Sequence, residues 1–162
     1  MDLFDFSAGG TPWPSIDDVV MGGRSASTMR IEGRVAVFRG QVSLDGGGFA
    51  SVRSLPERRD LSAFLGVTLR LRGDGKRYGL RLRNDPAFDG VNYQAQITTR
   101  PGHWDEVRLA FEALRPLLRG RAMPGVPPLD RSSVWTFGLI IAERQAGPFR
   151  LEIECIRAYA GP

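Results

Sequence analysis

Apolar and polar residues alternate with a period of two along several stretches of this 162-residue chain, and this pattern restricts the possible fold most strongly. Residues 67–72 place Val67, Leu69 and Leu71 on one face, and residues 78–83 repeat the same Leu-Arg alternation. Successive side chains of a strand point to opposite faces, so this alternation predicts half-buried β-strands. Further strands are predicted at residues 35–38, 49–52, 92–98, 104–109, 135–141 and 149–156.

Turn residues separate the predicted strands, and helical periodicity is scarce. Residues 73–77, Gly-Asp-Gly-Lys-Arg, predict a hairpin loop because Gly and Asp tolerate positive φ. Residues 111–116 predict one helical turn that a proline ends, and residues 117–128 predict a long surface loop. Many short strands at this spacing are typical of a sandwich or barrel. The sequence thus predicts an all-β fold with residues 1–162 in one domain.

Cysteine content and hydropathy bear on the compartment. Cys155 is the only cysteine, which excludes an internal disulfide and favours a reducing compartment. No apolar run approaches the roughly 20 residues of a membrane span. The first residues also lack the features of a signal peptide and the arginine-rich character of a transit peptide. A cytoplasmic location without a membrane span is therefore predicted.

The net charge of +4 and the pI near 10.0 raise the possibility of an anionic partner. However, the chain contains no cluster of five or more basic residues, and its aromatic residues are not interleaved with basic ones. Nucleic-acid binding is therefore not predicted. The alternative is a bias of composition that uses arginine wherever a cation is needed.

Residues 13–27 form the first segment with functional potential. Gly22 and Gly23 permit a tight turn, and the carboxylates of Asp17 and Asp18 can accept backbone N–H groups. One hypothesis is that Asp18 and Arg24 hold a ligand. The other is that the segment is a buried, hydrogen-bonded connection that closes one end of a sandwich.

This segment resembles the signature of the complex I intermediate-associated protein 30 family, whose mitochondrial members are assembly factors for NADH:ubiquinone oxidoreductase. The resemblance continues in order from about residue 13 to residue 159. Its motif residues here are Asp18, Met21, Gly22, Gly23, Ser25, Arg53, Asp74 and Tyr78. It implies a galactose-binding-like jelly-roll β-sandwich and a chaperone-like role in assembly. The implied partners are protein subunits of a respiratory complex.

A second candidate site follows from the strand pattern alone. If strands 67–72, 78–83, 92–98, 104–109 and 150–156 share a sheet, their outward residues converge on one face. That face would carry Arg70, Arg72, Arg81, Arg83 and Arg108, with Gln94, Gln96 and Trp104 nearby and Glu106, Glu152 and Glu154 on the same side. One interpretation is a partner-binding surface. The other is a solvated lattice of ion pairs.

Catalysis and metal binding find little support. His103 is the only histidine and Cys155 is in phase with predicted core residues, so an ordinary zinc site is not predicted. Asp85 and Asp89 fit no defined calcium loop. Asp18 and Asp74 are the only carboxylate pair considered for a glycosidase, and both lie in Gly-rich turns. No cofactor and no catalytic residue are predicted.

The predicted function is a non-catalytic binding module that assists assembly of a larger complex. A carbohydrate-binding module is the alternative, because Trp104 could stack on a sugar ring. Substitution of Arg81 or Arg83 by serine is predicted to weaken partner binding with little change in thermal stability.

Overall fold

The computed structural model describes residues 1–161, and these form two six-stranded antiparallel sheets that make a β-sandwich. The last residue of the predicted domain, Pro162, lies outside the described residues. The strands are β1 Asp2–Asp5, β2 Ala26–Glu32, β3 Val35–Val42, β4 Ala50–Arg53, β5 Gly66–Arg72, β6 Arg77–Arg83, β7 Asn92–Thr98, β8 Trp104–Ala110, β9 Arg115–Leu118, β10 Arg121–Ala122, β11 Thr136–Ile141 and β12 Gly147–Tyr159. The all-β prediction is confirmed.

The first sheet is built around β12, its longest strand. Its order is β2-β3-β12-β5-β8, and β1 also pairs with β12. The first half of β12 pairs with β3, and residues near its end pair with β1. The opposite edge of β12 pairs with β5, with an irregular register between Ile153 and Cys155. One 13-residue strand thereby joins three others into a single layer.

The second sheet has the order β10-β9-β7-β6-β11-β4. Strand β11 lies between β6 and β4, and all six of its residues are buried. The core between the sheets contains the alternating leucines of both layers, including Leu69 and Leu71 of β5 and Leu80 and Leu82 of β6. Each alternating strand therefore buries one face and leaves the other outside, as the sequence pattern predicts.

The prediction of a hairpin at residues 73–77 is wrong. Strand β5 pairs with β8 and β12 in the first sheet, whereas β6 pairs with β7 and β11 in the second. The connection therefore crosses from one sheet to the other. Alternation identifies the buried face of a strand but not its hydrogen-bonding partner, and both arrangements bury the same leucines.

The remaining differences are small. The single helical turn predicted near residue 111 is a 3-10 turn at Phe111–Ala113, and others lie at Phe6–Ala8 and Asp18–Met21. Residues 117–128, predicted as loop, include the end of β9 and the short strand β10. Strands β1 and β2 were not predicted. In β2 only Met29 is buried, so its alternation is weak. Within residues 1–161 no helix has the length and hydrophobicity to cross a membrane.

Candidate functional site

The predicted arginine face is divided between the two sheets. Arg70, Arg72 and Trp104 lie on β5 and β8 of the first sheet, whereas Arg81 and Arg83 lie on β6 of the second. The condition for a single face, that all five strands share one sheet, is not met, because the chain crosses from one sheet to the other between β5 and β6. The two halves of the predicted face differ in how their charges are balanced.

On the first sheet, Arg70 and Arg72 have acidic partners, whereas Arg108 lies over the ring of Tyr159 at 3.8 Å from its centroid. The Nε of Arg70 lies 2.8 Å from Oε2 of Glu154, and Arg72 forms an ion pair with Glu152. The two guanidinium groups also lie over the ring of Trp104, at 5.3 Å and 5.1 Å from its centroid. This part of the molecule is therefore the ion-pair lattice that the sequence offered as an alternative.

On the second sheet, the outward residues form a row that crosses five strands. Arg53 of β4, Gly138 of β11, Arg81 of β6, Gln94 of β7 and Arg115 of β9 lie directly opposite one another in the register. Paired residues in an antiparallel sheet point to the same side. Nε of Arg81 donates to Oε1 of Gln94 at 2.8 Å. We call this set the arginine row.

The positive charge of the arginine row is poorly neutralised. Within residues 1–161, Arg53, Arg81 and Arg115 form no ion pair shorter than 4.0 Å. Burial, with repulsion from Arg53 and Arg83, lowers the pKa of Arg81 to about 10. Arg81 thus remains a cation at neutral pH while its surroundings disfavour the charge. An anion from outside would relieve this conflict.

Arg83 lies beside the row and holds the loop between β6 and β7. Its side chain is only 3% exposed. Nη2 donates to the carbonyl oxygen of Asp89 at 2.7 Å, and Nη1 donates to that of Gly90 at 3.2 Å. Nη1 of Arg53 donates to the carbonyl oxygen of Phe88 at 2.6 Å. Both arginines therefore anchor this loop at the rim of the arginine row, and Phe88 itself is exposed.

The segment of residues 13–27 is organised by the buried carboxylate of Asp18. Oδ1 accepts from the backbone N–H of Ser25 at 2.8 Å, and Oδ2 accepts from the Ser25 hydroxyl at 2.6 Å. Oδ2 also accepts from the N–H groups of Gly48 and Phe49, at 2.7 Å and 3.1 Å. Asp18 is 0% exposed. Its carboxylate thus closes this end of the sandwich and is not open to a ligand.

The neighbouring motif residues lie in or next to the 3-10 turn that begins at Asp18. Gly22 adopts a left-handed φ of 85° at the end of the 3-10 turn. Gly23 is required for space, because a Cβ there would lie 2.4 Å from Cγ of Asp18. Met21 is 68% exposed at the tip of the turn. Arg24, paired with Asp18 in the ligand hypothesis, instead forms an exposed ion pair with Asp45.

Asp74 has a comparable structural position. Its Oδ1 accepts from the hydroxyl of Tyr78 at 2.9 Å, and its Oδ2 accepts from the N–H of Arg150 at 2.8 Å. Burial raises the pKa of Tyr78, and the charge of Asp74 adds to this. Asp74 therefore links the crossing connection to β12. Since Asp18 and Asp74 each bind groups of the protein, they do not form the carboxylate pair considered for a glycosidase.

The other sequence candidates contribute no cluster. Cys155 is buried, as its phase in the sequence predicted, and burial raises its thiol pKa. Asp85 and Asp89 contact Arg83 and Arg119 at 3.3 Å and 2.8 Å. Within the described part of the chain, no group of three or more His, Cys, Asp or Glu side chains is arranged to hold a metal ion.

Another cleft lies elsewhere on the molecule, and no sequence pattern predicted it. It is lined by separate segments that include Leu65, Phe111, Val126 and Tyr159. One arginine of this cleft already binds the protein, since Nη1 of Arg131 donates to the carbonyl oxygen of Phe64 at 2.8 Å. Arg115 was also not predicted to be a member of the arginine row. Only the strand register could reveal it, because β9 has no clear alternation.

Among solved structures, the fold of this chain is similar to that of a carbohydrate-binding module. The family 11 module of the cellulosomal cellulase Lic26A-Cel5E of Clostridium thermocellum superposes with a TM-score of 0.75. It is 16% identical in sequence, and the match covers 99% of this chain and 94% of the module. At this identity the likeness concerns the fold alone. The prediction of a galactose-binding-like jelly roll is confirmed.

Relatives in sequence point to another group of proteins. The mitochondrial complex I intermediate-associated protein 30 of Mus musculus is 28% identical over 172 residues, which cover 93% of this chain and 52% of that protein. Its Drosophila melanogaster counterpart is 27% identical over 180 residues, which cover 95% and 61%. The chain thus spans less than two thirds of the length of either relative.

These relatives overturn the predicted cytoplasmic location, because both are named as mitochondrial proteins. That prediction depended on the single cysteine and on the first residues of the sequence, and neither of these identifies a compartment. The family model for Complex I intermediate-associated protein 30 (CIA30) matches residues 4–153, nearly the whole chain. The chain belongs to the complex I intermediate-associated protein 30 family.

Proposed function

We propose that this chain is a non-catalytic, chaperone-like protein-binding module that assists assembly of NADH:ubiquinone oxidoreductase (complex I) or a related complex. The observation that carries the proposal is the arginine row, in which Arg53, Arg81 and Arg115 have no acidic partner among residues 1–161. Membership of the family and the names of the mouse and fly relatives support the choice of complex.

The partner surface is the outer face of the second sheet. Arginine is enriched where protein interfaces gain most of their binding energy, and Gln94 adds a polar group beside Arg81. An acidic segment of a subunit would supply the missing anions. Arg70, Arg72 and Trp104, the other residues predicted for the partner, already contact Glu154, Glu152 or one another. We assign them a secondary part in binding.

Carbohydrate binding is the second candidate function, because the structural neighbour is a carbohydrate-binding module. Sugar recognition commonly uses an exposed aromatic ring. Trp104 is half-buried beneath Arg70 and Arg72, and the members of the arginine row are not aromatic. The chemistry of the second sheet therefore favours an acidic protein over a neutral sugar.

Affinity capture from the native organism tests the proposal. The tagged protein is recovered from lysate, and the proteins bound to it are identified by mass spectrometry. We expect subunits or assembly intermediates of complex I, with at least about tenfold lower recovery for Arg81→Ser. The matched control is Arg70→Ser, which removes an arginine from the first sheet and should retain most of the recovery.

Equal losses for Arg81→Ser and Arg70→Ser would contradict the choice of surface. Capture without any oxidoreductase subunit would contradict the assembly role. In that case, binding of mixed-linkage or other glycans on an array, abolished by Trp104→Ala, would support the carbohydrate alternative. Because both functions would use the same fold, the capture and glycan-array results distinguish between the functions and do not test the fold.

A further inference from the structure

We propose that the small pocket between Arg53, Arg81 and Arg83 on the second sheet is a binding site for a single carboxylate group. The pocket is also lined by Ser51, Asn92, Thr136 and Gly138. The choice of a carboxylate over another oxyanion rests on the proposed function, because an unmodified protein partner offers carboxylates at Asp, Glu and its C-terminus.

Unused hydrogen-bond donors are the first observation. A guanidinium group carries five N–H donors. Among residues 1–161, Arg81 donates only through Nε, to the neutral oxygen of Gln94. Its terminal nitrogens are left for an acceptor from outside. A carboxylate fits this need, because its two oxygens match the two parallel donors of a guanidinium edge.

Unpaired buried atoms are the second observation. Nε of Arg83 and Oδ1 of Asn92 are buried and have no hydrogen-bond partner among the described residues. Arg83 and Asn92 are only 3% and 7% exposed. Buried polar atoms are normally paired, so two unpaired ones in a single pocket indicate a missing partner. A carboxylate at the mouth of this pocket would accept from the terminal nitrogens of Arg81, and one water molecule inside the pocket would connect it to Arg83 and Asn92.

The charge and the lining of the pocket are the third observation. Gly138 lies opposite both Arg53 and Arg81 in the register, so no side chain separates these two arginines. Ser51 and Thr136 add hydroxyl groups to the lining. Repulsion from both Arg53 and Arg83 acts on Arg81. A carboxylate at this position would be attracted by Arg53 and Arg81, and also by Arg83, which pairs with Asp85 at 3.3 Å. Its binding would offset the repulsion among the three arginines.

Nuclear magnetic resonance of the purified protein tests the site, because each arginine Nε–H gives its own signal. The probe is a peptide with one glutamate and both ends blocked, titrated at constant ionic strength. We expect saturable shifts of the Arg81 and Arg83 signals at millimolar peptide. The same peptide with glutamine should give none. A glutamine peptide with a free C-terminus distinguishes a terminal carboxylate from a side-chain carboxylate, and saturation by either supports the site.

Variants and a second anion complete the test. Arg81→Gln should weaken binding at least about tenfold, whereas Arg157→Gln, which removes an exposed ion pair with Asp2 on the first sheet, should change it less than about twofold. Melting temperatures and circular dichroism spectra are measured to check that both variants fold. Absence of saturable shifts, equal weakening by both variants, or saturation by inorganic phosphate but not by any carboxylate would overturn the inference. Capture of complex I subunits without carboxylate binding would overturn it too, while leaving the proposed function intact.

Discussion

Individual polar residues stabilise this protein through the hydrogen bonds that they accept or donate inside the fold. Asp18 is the clearest example, since its two oxygens receive four hydrogen bonds from Ser25, Gly48 and Phe49. A buried carboxylate normally carries a large desolvation cost. Four donors offset that cost here, and the same donors would be left unpaired if the carboxylate were removed.

We predict that Asp18→Asn lowers the free energy of unfolding by about 3 kcal/mol. The amide would bring its own N–H₂ group toward donors that need an acceptor. Chemical denaturation followed by tryptophan fluorescence measures the effect. Asp45→Asn is the matched control, because Asp45 has a 71% exposed side chain and pairs with the exposed Arg24. A loss below 1 kcal/mol for Asp18→Asn would contradict this account.

The same carboxylate predicts a dependence of stability on pH. Burial acts to raise the pKa of Asp18, but the hydrogen bonds from Ser25, Gly48 and Phe49 hold it below its usual value. Its contribution is therefore complete above the unfolded pKa, about 3.9, and disappears as the pH falls through the lower folded value. The gap in stability between wild type and Asp18→Asn should narrow below about pH 4. A gap that stays constant down to pH 2 would refute this.

Among larger elements, the loop between β6 and β7 depends on two arginines that project from strands. Arg83 binds the carbonyl oxygens of Asp89 and Gly90, and Arg53 binds that of Phe88. The prediction that Arg83→Ser leaves stability unchanged is therefore not retained, since Arg83 is almost fully buried. Arg81 differs, because within residues 1–161 only Gln94 accepts from it.

We predict that Arg83→Gln destabilises the fold by about 2 kcal/mol and increases amide hydrogen exchange in residues 84–91. The loop would lose its two hydrogen bonds from Arg83, while β6 and β7 on either side would remain paired. Arg81→Gln is the control, and it should change stability by less than about 1 kcal/mol, because it also removes repulsion within the arginine row. Equal exchange rates in the two variants would contradict the anchoring role.

The whole molecule is two sheets of different electrostatic character, joined by a core and by a few polar links. On the outer face of the first sheet, Arg70 and Arg72 are paired with Glu154 and Glu152. The outer face of the second presents Arg53, Arg81 and Arg115 with no such pairing among residues 1–161. This asymmetry is why we assign the partner surface to the second sheet.

Asp74 provides one link between the sheets, because it accepts from Tyr78 of β6 and from Arg150 of β12. We predict that Asp74→Ala costs about 1–3 kcal/mol, since the buried Tyr78 hydroxyl loses its acceptor. Unfolding should remain a single transition in fluorescence and circular dichroism. Tyr78→Phe is the control and should cost about 1 kcal/mol. Separate melting of the two sheets in Asp74→Ala would show that the link determines cooperativity.

Much of the fold was predictable because alternation is a local property of the chain. It identified the leucines of β5 and β6 as core and the arginines between them as outward, and it indicated an all-β fold. The importance of Asp18 was also visible from the motif around it. Strand pairing was not predictable, since a hairpin and a crossing between sheets bury Leu69, Leu71, Leu80 and Leu82 equally well.

The sequence by itself therefore determined the class of the fold and, for the strands with clear alternation, which side faces the core. Only the tertiary structure decided which outward residues are neighbours. Arg81 lies in line with Arg53 and Arg115, far from them in the chain, and not in the same sheet as Arg70. The physical reason is that hydrogen bonds between strands connect distant segments, and the charge of a surface depends on those connections.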